Sequence, residues 1–516
     1  MLFVSALFTG LFVPGAASTV QAATPNNFSS DNFYQNWQRT DLPIAAQKTS
    51  RSWYWGPAPL AQGFYEYYED APFHQRVVQY FDKARMELNN PDQNSVTNGL
   101  LVVEMIRGKL QTGDNSFTDK DPANVPVAGD PNNAWPTYKD LNSIYNQPTG
   151  RQVGDKADQI FNPDGITDFN VYSSDPQTTI ENVDNGFGIP AAFWDYLNRS
   201  GLVYNGYNYV NDTISSWIFS TGHPITDAYW TKVKVGGVDK YVLFQAFERR
   251  LLTYTPSNPS AYQVEMGNVG LHYVQWRYGG NLPQYSNLTD SMFGGIQPQW
   301  YSATDVLNIR TEPNSQSNHP ESTTNHPYVQ QLQPGDHVQV LKAVQGEEIL
   351  PGNNVWYQIY ENPNLYVYSG YMKKYDVPDY PRTPRTHSGI WVSVSLDKQM
   401  MAVFRDNQLL YKTLIASGRP GVGDKDYSTV RGVYSAIGGY RPLSQTMQGG
   451  SRASASYYNI DDIRYVTYFY RDYAIHGSYW HAKFGIAPQS HGCVNSTVYD
   501  ASLVWRLPVG TVVDVF

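Results

Sequence analysis

The 516-residue chain contains a single cysteine, Cys493, so no disulfide can form within it. Each domain must therefore be held together by its own hydrophobic core, and the length is sufficient for roughly three domains of ordinary size. Hydrophobic residues make up 41% of the sequence and charged residues 16%, which is the composition of a folded protein. The 41 Tyr, 13 Trp, 41 Gly and 33 Pro residues favour strand-rich and turn-rich domains over helical bundles.

The beginning of the chain resembles a secretory signal peptide. An apolar run at 2–13 precedes Pro14-Gly15 and a stretch of small residues that ends at Ala23, although the usual positively charged start is missing. We therefore expect residues 1–23 to be a signal peptide and the mature protein to be extracellular or cell-wall associated. The run is too short to cross a bilayer, so no membrane span is expected after signal removal. The net charge of −9 argues against nucleic acid as a partner.

Residues 24–287 mix helix and strand signals and are expected to form an α/β region of one or two subdomains. The segment 76–88 places apolar residues near helical spacing, and 190–197 predicts a helix that begins with a proline. The segment 233–255 predicts a hairpin that turns at Gly236-Gly237. No motif in this region indicates a particular chemistry.

Residues 298–378 alternate short strands with turns, which predicts a small β-barrel. Four short pieces resemble a bacterial SH3-like domain in their order: LNIRTEP at 307–313, PGD at 334–336, VWYQI at 355–359 and SGYM at 369–372. Such modules bind cell-wall peptides or act as spacers. The proline-containing residues 379–388 lack periodicity and predict a linker.

From residue 389 onward the pattern is that of β-strands with one late helix. Apolar residues alternate with other types over 390–396, and two further apolar segments flank a turn at Asp406-Asn407. Thr497 with Asp500 resembles a capping box, which predicts a helix that follows. Residues 389–516 are therefore expected to form a mostly-β, sandwich-like domain.

Cys493 lies in a histidine-rich part of the chain. Three of the ten histidines, His476, His481 and His491, lie within the 17 residues that precede it. A thiol needs a nearby base to become a nucleophilic thiolate, and histidine is the usual one. Gly492 permits a close backbone approach beside the thiol. The helix predicted after it would favour the thiolate and offer N–H groups to an oxyanion.

These residues closely resemble the catalytic domain of the L,D-transpeptidase family, also called YkuD-like. The family pattern is a histidine, a variable stretch, Ser or Thr followed by His-Gly-Cys, a hydrophobic residue, and Asn or Arg. Here it reads His476, then Ser490-His491-Gly492-Cys493-Val494-Asn495. The resemblance extends over residues 389–516, including TLIASGRPG before these residues and LPVGTVVDVF as the final strand.

The resemblance implies a role for each of these residues. Cys493 would be the nucleophile and His476 its general base, with the carbonyl of Gly477 orienting the imidazole in place of the carboxylate of other triads. His491 and Gly492 would shape the loop beside the thiol, and His491 would also bind substrate. The remaining implied roles are an orienting Ser490, a loop-holding Asn495, and substrate contacts from Tyr440, Met447 and Tyr457, each of which is equally well explained as a core residue.

The activity implied is that of a peptidoglycan L,D-transpeptidase acting on wall stem peptides without a metal or cofactor. Cys493 would form a thioester with release of terminal D-Ala, and an amine of a second stem peptide would resolve it to a 3→3 cross-link. Two departures from the family leave the substrate preference open. Only 13 residues separate His476 from Ser490, and the Thr-Pro-x-Gly turn of the family reads Thr429-Val430-Arg431-Gly432.

Four other interpretations remain open. An L,D-carboxypeptidase would resolve the thioester with water. A zinc hydrolase could use His476, His481, His491 and Cys493, although no general-base Glu motif is present. A cysteine peptidase of the type found beside SH3-like modules has its Cys before its His, whereas here every His precedes Cys493. The non-enzymatic alternative is a cell-wall-binding protein with a degenerate catalytic domain.

Overall fold

A computed structural model describes residues 23–516 apart from 91–94, 286–287, 295–296, 422–425, 436–440 and 450–456. The described residues are mostly β, and the chain divides into two compact units, Met1–Ser291 and Met292–Phe516. No helix in the described part of the chain is long and apolar enough to cross a membrane. Apart from Ala23, the predicted signal peptide lies outside the described residues.

The first unit contains both helices and strands, as expected. Its helices are α1 (Asp31–Thr40), α2 (Leu42–Ala45), α3 (Leu101–Arg107), α4 (Ala191–Asn198), α5 (Trp217–Ser220), α6 (Val269–Tyr278) and α7 (Leu288–Ser291). Its strands are β1 (Phe64–Tyr67), β2 (Gln75–Tyr80), β3 (Arg85–Leu88), β4 (Thr97–Asn98), β5 (Lys109–Gln111), β6 (Phe117–Asp119), β7 (Gln159–Asn162), β8 (Gly165–Asp168), β9 (Ile180–Asp184), β10 (Phe187–Pro190), β11 (Ser200–Tyr204), β12 (Tyr209–Thr213), β13 (Tyr229–Val235), β14 (Val238–Ala246), β15 (Leu251–Tyr254) and β16 (Val264–Met266). The larger sheets have the strand orders β1-β2-β3-β4 and β16-β15-β14-β13-β7-β8.

One arrangement occurs twice in the first unit. Strands β2, β3 and β4 are followed by α3, and strands β14, β15 and β16 are followed by α6. The turn between the first two strands closes in the same way in each copy, from Phe81 N to Ala84 O (2.8 Å) and from Phe247 N to Arg250 O (2.9 Å). The first unit therefore contains this arrangement twice, with the turn sequences QYFDKAR at 79–85 and QAFERRL at 245–251.

The two copies contact each other reciprocally. At the start of α6, Leu271 N donates to Asp82 O in the first turn (3.1 Å). In α3, Val103 N donates to Glu248 O in the second turn (3.3 Å). The first residues of each helix therefore contact the β-turn of the other copy. A helix N–H group that has no partner within the helix donates to a carbonyl oxygen of that β-turn.

The helix expected at 76–88 is wrong, because this segment forms the antiparallel strands β2 and β3. Both faces of these strands are buried, so apolar residues occur without the alternation that marks a half-exposed strand. Arg76 and Arg85 are fully buried and form ion pairs with Glu66 (2.6 Å) and Glu104 (3.1 Å). Because charged residues occupy core positions in these strands, the sequence does not show the hydrophobic pattern of a buried strand.

Two other expectations for the first unit are confirmed. The predicted helix at 190–197 is α4, which follows Pro190 directly. The predicted hairpin is formed by β13 and β14, which are paired up to Val235 and Val238. Gly236 and Gly237 in its turn have φ values of +62° and +77°, a conformation that glycine adopts at little cost.

The second unit contains one α-helix among its described residues, α8 (Val498–Trp505). Its strands are β17 (Gln299–Ala303), β18 (Leu307–Asn308), β19 (Gln331–Leu332), β20 (His337–Val340), β21 (Lys342–Leu350), β22 (Asn353–Tyr360), β23 (Leu365–Tyr368), β24 (Met372–Lys374), β25 (Ile390–Ser395), β26 (Met400–Arg405), β27 (Gln408–Leu414), β28 (Gly432–Ser435), β29 (Ser444–Gly449), β30 (Tyr458–Arg464), β31 (Thr467–Tyr470), β32 (Tyr473–Gly477), β33 (Val494–Ser496) and β34 (Val512–Val515).

The region 298–378 contains the short strands that the sequence predicts. They form three small sheets with the orders β20-β17-β24, β18-β19 and β21-β22-β23. None of these sheets closes on itself in the described residues, so the predicted barrel is not shown. The SH3-like assignment stays a prediction.

The C-terminal part contains a five-stranded sheet with the order β27-β26-β25-β34-β28 and a three-stranded sheet with the order β31-β32-β33. The predicted hairpin at Asp406-Asn407 joins β26 to β27, with Arg405 paired to Gln408. The predicted late helix is α8, whose first turn is capped by Thr497. Strand β25 therefore lies where the alternation of residues over 390–396 predicts it.

A buried carboxylate holds α8 in place. Asp500 is fully buried and accepts hydrogen bonds from Tyr411 Oη and Thr413 Oγ1 on β27, both at 2.7 Å. Gln339 Nε2 on β20 also donates to it, at 3.0 Å. The backbone N–H of Asp500 donates to Thr497 Oγ1 (3.2 Å). This one side chain therefore joins the region 298–378 to the C-terminal sheet and to α8.

We predict that Asp500→Ala reduces the protection of α8 against hydrogen exchange by about 2 kcal/mol or more, because three buried donors lose their acceptor. Hydrogen–deuterium exchange of the peptide that covers α8, followed by mass spectrometry, measures this. Asp379→Ala is the matched control, since Asp379 is exposed and pairs with Lys412 at the surface. Equal protection of α8 in the two variants would contradict the assignment.

Candidate active site

The sheet β31-β32-β33 brings the two ends of the sequence motif together. Strand β33 pairs in parallel with β32, and His476 is paired with Asn495. Paired residues of neighbouring strands project to the same face, and residues two apart share a face. Cys493 directly precedes β33, two residues before Asn495. The side chains of His476, Asn495 and Cys493 therefore belong to one face of this sheet.

The backbone beside Cys493 requires a glycine. Gly492 has a φ of +126°, and a Cβ at this position would lie 2.7 Å from Cε1 of Tyr473. Ser490 Oγ accepts a hydrogen bond from Gly492 N (3.1 Å) and donates to the carbonyl oxygen of Cys493 (2.5 Å). Ser490 therefore holds the turn that carries the thiol, and its expected role in orienting His491 stays a prediction.

The thiol of Cys493 is protonated at neutral pH. Burial raises its pKa to about 11; the N–H of Ala474 lowers it, and the Asp472 carboxylate raises it further. Cys493 Sγ donates to the carbonyl oxygen of Asp472 at 3.6 Å. Strand β33 separates the thiol from α8, which begins only at Val498. The helix begins directly after its predicted cap, Thr497.

His476 is buried and is in the protonation state that a base needs. Burial lowers its pKa to about 4, and the hydrogen bond to Gly477 offsets part of that effect. His476 Nδ1 lies 3.1 Å from the carbonyl oxygen of Gly477. In the neutral ring, Nδ1–H donates to this carbonyl, so Nε2 keeps a lone pair that can accept a proton.

The ring of His491 is fixed from three sides. Arg419 Nη2 lies 2.9 Å from His491 Nε2. Tyr458 stacks on the ring at 4.7 Å, and Tyr427 meets its edge at 4.5 Å. Because a guanidinium can only donate, Nε2 is the acceptor and Nδ1 carries the proton. Burial and the charge of Arg419 lower the pKa of His491, which keeps it neutral.

Asn495 is fully buried and contacts both His481 and Ala416. Its Nδ2 lies 2.9 Å from His481 Nε2, and its backbone exchanges two hydrogen bonds with Ala416, at 2.8 and 2.9 Å. Burial lowers the pKa of His481 to about 3, so this ring is also neutral. His481 was considered in the sequence analysis only as a metal ligand; its contact with Asn495 depends on the tertiary structure.

A cavity of about 470 Å³ opens beside these residues. Cys493, His476, His491, Ser490 and Asn495 all line it, as does Met447. Tyr457 is not among its described lining residues, although the adjacent Tyr458 is, and Tyr440 lies outside the described residues. The lining residues that were not predicted are Arg419, Tyr458, Ile460, Ile463, Asp472, Tyr473, Trp480 and Gln489.

The arrangement can perform nucleophilic catalysis. It combines one thiol, one neutral imidazole with a free lone pair, and a cavity large enough for a peptide segment. In the described part of the chain, no group of three or more His, Cys, Asp or Glu side chains is placed to hold a metal ion.

The family model of the L,D-transpeptidase catalytic domain, YkuD, matches residues 388–515. A mutant L,D-transpeptidase from Enterococcus faecium is 22% identical over 25% of this chain and 50% of that chain, with a TM-score of 0.22. An L,D-transpeptidase from Xylanimonas cellulosilytica is 26% identical over 27% and 65%, with a TM-score of 0.21. One from Mycobacterium smegmatis is 16% identical over 31% and 77%, with a TM-score of 0.23. The chain thus spans half the length of the first of these structures. No protein with a curated description matches the chain.

We predict that Cys493 reacts with iodoacetamide at a rate that rises about tenfold per pH unit between pH 7 and pH 10, because its thiol pKa is about 11. As the chain has one cysteine, intact-mass spectrometry follows this thiol alone. Asp472→Asn should increase the rate at a fixed pH, since it removes a charge that raises the thiol pKa. A rate that is already constant above neutral pH would instead indicate a thiolate–imidazolium pair.

Proposed function

Because residues 388–515 match the L,D-transpeptidase catalytic domain, we propose that the chain is a peptidoglycan L,D-transpeptidase with Cys493 as nucleophile and His476 as general base. The observation that carries this proposal is the parallel pairing of β32 with β33, which aligns a neutral histidine with the single thiol at one cavity. The substrates are peptidoglycan stem peptides, and the place of action is the cell wall. The predicted export signal agrees with that location.

The first half-reaction forms a thioester. Sulfur attacks the carbonyl carbon of the diamino acid at position three of a tetrapeptide, and His476 Nε2 takes the thiol proton. The resting thiol is protonated, so attack and proton transfer are coupled. The bond to the terminal D-Ala nitrogen then breaks, and His476 returns the proton to that nitrogen. D-Ala leaves with a neutral amino group, and the acyl group stays on Cys493.

The second half-reaction transfers the acyl group to an amine. The side-chain amine of a second stem peptide attacks the thioester, a C–N bond forms and the C–S bond breaks. His476 takes the amine proton and returns it to sulfur, and the product is a 3→3 cross-link. Gly492 N–H already donates to Ser490 Oγ, so it is not free to stabilise the oxyanion that forms in each step. Other N–H groups of the same turn would have to donate to that oxyanion.

We expect the purified chain, incubated with a disaccharide-tetrapeptide, to yield a dimer that lacks one D-Ala, as measured by mass spectrometry. Cys493→Ala should lower the rate by about 10³-fold or more, because it removes the single thiol of the chain. Formation of tripeptide alone would assign a carboxypeptidase. No reaction and no acyl adduct on Cys493 would favour a non-catalytic wall-binding protein.

His476→Gln should also lower the rate, by roughly 10²- to 10⁴-fold, because a glutamine side chain cannot accept the thiol proton. The matched control is His326→Gln, which changes an exposed histidine of the same unit whose ring contacts Tyr479 and Asp461. Equal activity in the two variants would rule out His476 as the base.

A further inference from the structure

The cavity beside Cys493 contains one permanent charge of each sign among its described lining residues. Arg419 provides the positive charge and Asp472 the negative one. The lining histidines His476 and His491 are neutral, because burial lowers the pKa of each. Arg419 belongs to the segment after β27, and Asp472 to the turn between β31 and β32. A charged substrate would therefore meet different charges on different walls.

Arg419 is anchored to the turn that carries the thiol. Its backbone N–H donates to the carbonyl oxygen of Ser490 (3.1 Å), three residues before Cys493. Its own carbonyl oxygen accepts from Tyr427 N (3.0 Å), and its guanidinium carbon lies 5.7 Å from the centre of the Tyr427 ring. The main chain of Arg419 is thus fixed next to the turn that carries the thiol, and the Tyr427 ring and His491 contact its guanidinium.

The guanidinium of Arg419 has N–H groups available to bind a ligand. Its hydrogen-bond partner among the described residues is His491 Nε2, a neutral acceptor that uses one of five N–H groups. Its side chain is exposed at the cavity, and a planar guanidinium binds a carboxylate through two parallel hydrogen bonds. The chemistry of this wall is therefore suited to a carboxylate.

Asp472 provides the negative charge on another wall of the cavity. The sulfur of Cys493 donates to its backbone carbonyl oxygen at 3.6 Å, so this wall is also next to the reacting atom. A substrate carboxylate would be repelled from Asp472 and attracted to Arg419. The two walls together orient a peptide that carries a carboxylate close to the bond that is broken.

We propose that Arg419 binds the free C-terminal carboxylate of the donor peptide, that is, the carboxylate of the residue that leaves. This inference rests on the function proposed above. The leaving residue directly follows the attacked carbonyl, and consecutive residues are about 3.8 Å apart, so its carboxylate stays close to the thiol turn that anchors Arg419. The bonds made and broken are those of the thioester step, and Arg419 exchanges no proton. Arg419 thereby restricts cleavage to the last residue of a stem peptide.

The test compares two donors, a tetrapeptide with a free C-terminal carboxylate and the same peptide with a C-terminal carboxamide. The acid donor releases D-Ala and the amide donor releases D-alaninamide. For the full-length wild-type chain, kcat/KM should be about 10- to 100-fold higher for the acid, which is the factor expected for a hydrogen bond to a charged group. Arg419→Gln should lower kcat/KM for the acid by that factor more than it lowers kcat/KM for the amide. Arg419→Lys should retain part of the preference, because it keeps the charge but not the bidentate geometry.

Arg471→Gln is the matched control, since Arg471 is exposed, lies over Tyr470 and is not among the described lining residues of the cavity. It should leave both donors unchanged. An equal loss on both donors in Arg419→Gln would overturn the proposal, because it would limit Arg419 to holding His491. A wild-type chain that does not distinguish the donors would overturn it as well.

Binding separates this inference from the proposed reaction. In a Cys493→Ala background, the acid should bind more tightly than the amide by calorimetry, and Arg419→Gln should abolish the difference. Carboxylate-selective binding without turnover in the wild type would refute the proposed reaction and support the role of Arg419. Equal binding of acid and amide would refute the role of Arg419, whatever the turnover.

Discussion

The parallel pairing of β32 with β33 is the interaction on which the candidate site depends. It places Asn495 opposite His476, and so puts Cys493 and His476 on one face although 16 residues separate them in the chain. The strands are kept in place by α8, which packs against β32. The buried carboxylate of Asp500 ties α8 to β27 and β20. His476, Asn495, Asp500 and Gln339, which make these contacts, are buried.

The same burial determines the resting chemistry of the site. Desolvation disfavours charge on either partner, so it raises the thiol pKa and lowers the imidazole pKa. The resting pair is therefore neutral. A thiol with little thiolate character is also slow to oxidise, which suits a single cysteine expected outside the cell.

The first unit illustrates where sequence reasoning failed. Its repeated arrangement has the turn sequences QYFDKAR and QAFERRL, but the periodicity of 76–88 favoured a helix. Buried ion pairs such as Arg85 with Glu104 place charges where a core pattern would show apolar residues. The repeat became visible only through matching backbone hydrogen bonds, such as Phe81 with Ala84 and Phe247 with Arg250.

The sequence by itself indicated the family that the C-terminal part resembles and predicted much of its secondary structure. The order of His476, Ser490, His491, Gly492 and Cys493 indicated a thiol, a base and a glycine turn, because these features depend on residue type and local spacing. It also predicted the hairpin at Asp406-Asn407 and the cap of α8. Only the tertiary structure brought Arg419, Asp472, Tyr458 and His481 to the site, and only it decided that the thiol and the imidazole are neutral. Distances across strands and the burial of charge depend on the packing of residues far apart in the chain, which local sequence patterns do not encode.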